Sequence, residues 1–296
     1  DDVLDSFIPR YVSPELIMEL SDNHGMDELH RVLQDSFRRS ERNVVEENIL
    51  YRITNGDEVQ GKGKFTTTEH KLLLDLEQAE YLSLVLQNKA KARFFGEIVA
   101  PIYRNVLENR PFATNDIGFY TFTQEDVEHG ISDVYNKALH VTDFDELLEQ
   151  DTGEPLPVIN DAIYNAQYNI EQEYKENNIV VVDDLLTPQA LQRIRQLLLE
   201  STVWYETKSP VDTGRYTGAY LNDGLHDRIL LQLAFELRSV LPNIIQGPLA
   251  YLWAYKYESR NEGIKTHTDF ASVNVNLWIT PDNANLDPTT GGLVVY

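Results

Sequence analysis

Apolar residues recur at helical spacing through the first half of the chain and at strand spacing through much of the second. Residues 15–20 and 26–37 read as helices, the latter with Leu29, Val32, Leu33 and Phe37 on one stripe. Thr66-Thr67-Thr68-Glu69 offers N-caps for a long helix in which Leu72, Leu73, Leu76, Ala79, Leu82 and Leu86 can line one face. Gly96 and Pro101 are expected to interrupt the segment after that helix, and Pro111 to close it. Residues 124–138 and 144–148 are further helix candidates. The stretches 54–57 and 60–64 read as a turn and an exposed loop.

The two prolines and turn residues of 151–157 mark the best linker candidate, and a polar helix over 160–176 comes after it. Then the texture changes. Ile179-Val180-Val181-Val182 reads as a short buried strand. Thr187-Pro188 supplies an N-cap and a first-turn proline for a helix striped by Leu191, Ile194, Leu197 and Leu198. Residues 229–241 form an amphipathic helix that stops at Pro242. Strand texture marks 203–205, 216–220, 249–257, 265–269, 273–280 and 293–296. Helices first, then short strands with Gly and Pro turns, predict an α+β protein. The expected plan is a mainly helical domain over 1–157 and a jelly-roll domain, backed by helices, over 158–296.

Charge and composition narrow the function. With 48 acidic residues against 25 basic, the net charge is −23, which argues against nucleic acid and against anionic lipid as partners. The chain has no cysteine, so disulfides, thiolate metal sites and a cysteine nucleophile are excluded. No apolar run is long enough for a membrane span, and the first residues are acidic and unlike a signal peptide, so a cytoplasmic enzyme is the expectation.

The candidate chemistry is at His267-Thr268-Asp269. Two side chains two apart on a strand share a face, and a His and a carboxylate so placed supply two thirds of a two-His-one-carboxylate iron site. Alone the triplet is a weak signal, equally at home in a surface turn. Its surroundings strengthen it: Tyr257 ten residues upstream, the alternating Val273 to Ile279 downstream, and then Gly291-Gly292-Leu293.

In this context the chain resembles the Fe(II)- and 2-oxoglutarate-dependent dioxygenases of the prolyl-4-hydroxylase-like branch, roughly over 178–296. The resemblance implies a double-stranded β-helix with His267 and Asp269 as iron(II) ligands. It implies that Tyr257 bonds or flanks the 2-oxoglutarate cosubstrate. Asn274, Asn276 and Trp278 share one parity, which the resemblance turns toward the barrel interior and the cosubstrate; the competing reading puts the two Asn on a solvent-facing edge. The implied activity is hydroxylation of a peptidyl or amino-acid side chain, coupled to conversion of 2-oxoglutarate to succinate. The family's second His and its cosubstrate-binding Arg or Lys have no counterpart after His267, so the domain is expected to be truncated and those roles to lie beyond Tyr296. A non-catalytic barrel serving as a binding module is the alternative, and an interaction role for the helical half is a third. His226 is read as a surface residue, Asp183-Asp184 as a polar strand end, and Trp204, Tyr205 and Tyr216 as core aromatics before groove residues.

Overall fold

The computed structural model describes residues 12–43, 66–109, 119–142, 155–207, 216–257, 269 and 271–284. Side-chain caps set most of its helix starts. Ser13 Oγ accepts from Leu16 N at 3.3 Å and Pro14 takes a first-turn position in α1 (Pro14–Asn23). Gly25, at φ +82°, turns the chain into α2 (Gly25–Asn43). β1 (Thr66–Thr68) runs directly into α3 (Glu69–Val85), because Thr68 is both a strand residue and an N-cap, accepting from Lys71 N at 3.1 Å. Asn88 caps α4 (Lys89–Phe94).

Gly96 and Pro101 do not break the helix as expected. α4 continues through a π-helical turn (Phe95–Val99) into α5 (Ala100–Asn109) without a gap. The wider π turn precedes Pro101, whose missing N–H and bulky ring would otherwise conflict with an α-helical backbone. Gly96 faces α3 so closely that a Cβ there would lie 3.2 Å from Ser83 Cβ.

β2 (Phe119–Thr121) pairs antiparallel with β1, a ladder the sequence pattern does not predict. Two short helices, α6 (Gln124–Glu128) and α7 (Ile131–Val134), replace the single one expected over 124–138, because Gly130 separates them at φ +92°. A first core built on Leu72, Leu82, Phe95, Val99, Tyr103 and Tyr135 binds α3 to α7 together.

The second half adds α8 (Asp161–Asn177), α9 (Pro188–Glu200) and α10 (Arg228–Val240), capped by Asn160, Thr187 and Asp227. β3 (Glu206–Thr207), β4 (Tyr216–Tyr220) and β5 (Trp253–Tyr257) form an antiparallel sheet in that order. A second core runs from Val158 and Ile159 through Ile194, Leu197 and Leu225 to Leu233. Glu236 anchors the chain entering it, its carboxylate accepting from both Val158 N and Ile159 N at 2.8 Å.

The molecule is thus mixed α and β, mainly helical, with a small antiparallel sheet; the jelly-roll expected over 158–296 is not found among the described residues. Residues 179–182 correct the expected buried strand. Ile179 is 44% and Val181 81% exposed, while Val180 and Val182 pack on the core, and no ladder pairs them. The 203–205 strand is also absent: Val203 and Trp204 are buried in an irregular lead-in to β3. The segment 273–280 is irregular as well.

The first two helices pack away from the first core. Val12, Ile17, Leu29 and Leu33 join Leu221 and Leu231, so α1 and α2 rest on the second half. Arg238 pairs with Asp22 at 2.7 Å and Arg228 with Asp27 at 2.6 Å across that contact. His226 lies inside this junction rather than at the surface, its ring 5.2 Å from Phe37 and 6.1 Å from His30.

Candidate functional site

Strand parity divides the β4–β5 pair into two chemically different faces. Thr217 stands opposite Lys256, and Ala219 opposite Ala254; this face looks toward the second core and α3. Tyr216 stands opposite Tyr257, Gly218 opposite Tyr255, and Tyr220 opposite Trp253, which makes the other face almost wholly aromatic. Tyr216 is the hub, with ring centroids 4.9 Å from Tyr255 and 5.2 Å from Tyr257. The phenol oxygens of Tyr220 and Tyr255 are 3.4 Å apart. Gly218 leaves room for the rings beside it: a Cβ would lie 3.1 Å from both the Tyr220 and the Tyr255 ring, which would have to give by a few tenths of an ångström.

Tyr257 closes this face at the end of β5 and is 47% exposed. Burial against its neighbours, with Tyr216 closest, pushes its phenol up to about 12, so it is a neutral hydrogen-bond donor at physiological pH. Burial and the bond to Tyr220 raise Tyr255 further. Glu206, opposite Gly218, brings a carboxylate to the same face. Asp223 comes after β4 in a short 3-10 turn; burial first, and the Glu206 charge second, push its carboxyl up to about 6.

The other predicted site residues lie on the final described segment, His267 excepted, which is outside the described residues. Asp269 is exposed, and its carbonyl accepts from Ala271 N at 3.0 Å. Downstream, Val273, Leu277 and Ile279 pack on the second core, and Arg195 Nε of α9 fixes the segment by donating to Ile279 O at 2.6 Å. Asn274, Asn276 and Trp278 are exposed, as is Val275 between them, so these residues face solvent rather than the barrel interior that the resemblance implies. Tyr257 is brought against Tyr216 and Tyr255; it shares no ring contact with Trp278 among the described residues.

One imidazole and one carboxylate form a donor set suited to iron(II), and the exposure of Asp269 leaves its carboxylate within reach of a cation. Among the described residues no three His, Cys, Asp or Glu side chains group around one point. Trp204 and Tyr216 belong to the core, as expected. Asp184 sits in a turn at φ +52°, and Asn283 in a 3-10 turn (Asp282–Ala284).

Tyr216, Tyr220, Tyr255, Glu206 and Asp223 are the residues that sequence reading did not place in the site. The aromatics carry a signal: in Tyr216-Thr217-Gly218-Ala219-Tyr220 and Trp253-Ala254-Tyr255-Lys256-Tyr257 the large rings alternate with other side chains. Glu206 and Asp223 carry none, since their proximity depends on register. No family profile, curated protein or solved structure matches this chain.

Proposed function

We propose that the chain belongs to an iron(II)- and 2-oxoglutarate-dependent oxygenase that hydroxylates a peptidyl or amino-acid side chain. The observation that carries this reading is that Asp269, Asn274, Asn276 and Trp278 are all exposed along one short segment, open to a ligand. Val273, Leu277 and Ile279 pack on the helical layer and hold that segment in place. The resemblance gives Asn274, Asn276 and Trp278 to the cosubstrate, which would bind over this exposed stretch.

In this reading His267 and Asp269 hold the metal, and Asp269 offsets part of its charge. His267 binds only as the neutral imidazole, so metal affinity falls in acid. The bound iron and cosubstrate supply oxidation of a substrate C–H bond. Tyr257, held neutral, donates its O–H to a cosubstrate oxygen. The Asn274 and Asn276 amides would donate to carboxylate oxygens of the cosubstrate. Fold analogy alone does not identify a substrate.

The test is succinate production by the full-length protein supplied with Fe(II), 2-oxoglutarate and O2. His267→Ala or Asp269→Ala is expected to abolish it and Tyr257→Phe to lower it by about tenfold, the loss of one good hydrogen bond. Undiminished turnover by both ligand variants sinks the proposal. No turnover by the unaltered protein, with ligand binding retained, favours a non-catalytic binding module.

A further inference from the structure

A cleft of about 30 Å³ lies where α3 and α5 meet the lead-in to β3. It belongs neither to the aromatic face nor to the His267–Asp269 region. Its lining includes Lys71, Asp75, Tyr103, Asn136, Lys137 and Trp204. Two features distinguish it from an ordinary packing gap.

The first is charge. Lys71 is 2% exposed and pairs with Asp75, and its ammonium also lies 4.9 Å from the Tyr135 ring centre. Lys256 stands just behind the lining, its Nζ donating to Gln78 Oε1 at 2.6 Å and sitting 4.5 Å over the Trp204 ring. Lys137 adds a third ammonium, against the single carboxylate of Asp75 among the lining side chains. In a chain of net charge −23 this is a local reversal of sign. Asp75 offsets the Lys71 ammonium, and the half-buried Lys137 leaves the lining with a surplus positive charge that favours an anion.

The second is a pair of unpartnered polar atoms. Trp204 is 6% exposed, yet its indole Nε1–H has no hydrogen-bond partner among the described residues; nor has Asn136 Oδ1, which is also buried. The Asn136 amide is oriented by its Nδ2, which donates to Tyr205 O at 3.4 Å, leaving the oxygen as the available group. A ligand that satisfies both must accept from an N–H and donate an O–H.

We propose that the cleft binds a small monovalent oxyanion that retains one O–H group, of the hydrogen-carbonate class. Trp204 Nε1 donates to one anion oxygen, Lys71 and Lys137 supply opposite charge, and the anion's O–H donates to Asn136 Oδ1. The volume admits a water or an ion of a few atoms, not a metabolite of ordinary size.

Nitrate is the discriminating probe, since it shares the charge and trigonal shape of hydrogen carbonate but lacks the proton. Full-length protein is titrated with the sodium salts of hydrogen carbonate, nitrate and chloride at constant ionic strength near neutral pH. Binding is read from the thermal midpoint and from line broadening of ¹³C-labelled hydrogen carbonate. The expected result is saturable binding, with hydrogen carbonate about tenfold tighter than nitrate. Lys137→Met is expected to weaken both. Asn136→Gly is expected to erase the preference; glycine suits the φ of +52° there, so the backbone is preserved. Absence of a saturable response to every salt overturns the proposal and assigns the cleft to water. Equal affinity for hydrogen carbonate and nitrate overturns it, as does unchanged binding in the folded Lys137→Met protein.

Discussion

Lys256 of β5 reaches across to α3, where its ammonium donates to the Gln78 amide oxygen at 2.6 Å. This bond ties the strand that ends in Tyr257 to the first helical core, on the face opposite the tyrosines.

Its burial gives a pH signature. Desolvation lowers the Lys256 pKa to about 8, although Asp75 pulls it up; Lys71 adds to the lowering, and Glu77 opposes it. Between pH 8 and the ordinary lysine value the unfolded chain holds a proton that the folded one has released. Stability from this residue therefore rises with pH across that window, by up to roughly 3 kcal/mol, and is at its minimum below it. Lys256→Met is expected to flatten the rise, as measured by urea midpoints between neutral and alkaline pH.

Asp223 has the opposite sign. Its carboxyl is raised to about 6, so the folded state favours the proton and this contribution is lost as pH climbs through that value. Asp223→Asn is expected to stabilise the protein at neutral pH by about 1–2 kcal/mol, after allowance for partial solvent screening. The gain disappears in acid, and thermal melts at both pH values check it.

His140 makes the fold acid-sensitive. Burial, then the Lys91 ammonium 3.0 Å from its Nδ1, hold it down at about 4. The unfolded chain gains its proton first, so stability falls as pH drops from the ordinary histidine range toward 4. His140→Gln is expected to lessen that fall, read from the thermal midpoint against pH.

Glu236→Ala leaves the Val158 and Ile159 amides without their shared acceptor in a fully buried position. A loss of about 2–4 kcal/mol is expected, measured by chemical denaturation.

Gly218→Ala tests the tyrosine face directly. The added methyl must displace the Tyr220 or Tyr255 ring. Near-ultraviolet circular dichroism is expected to change while helix content stays constant.

Helices were legible in the sequence because their instructions are local. Thr68, Asn160 and Thr187 cap where their side-chain chemistry predicts, and of the apolar stripe of α9 Ile194 and Leu197 are buried while Leu191 and Leu198 are half-buried. Strands were not, because a ladder needs a distant partner. Thr66–Thr68 reads as a run of helix caps yet pairs with Phe119–Thr121, whereas the apolar 179–182 joins no ladder among the described residues. The same limit hid Glu206 and Asp223, and the alternation after Asp269 holds only in part, since the segment is irregular and Val275 is exposed with the polar set.

The packing of α1 and α2 has a consequence for how the chain matures. Ser21 donates to a carbonyl 228 residues later, and Asp22 waits 216 residues for Arg238. During synthesis α1 and α2 emerge long before their partners, and their apolar stripes stay uncovered until residues 221–252 have been made. The interval is a window for aggregation or chaperone capture, set by the order of translation.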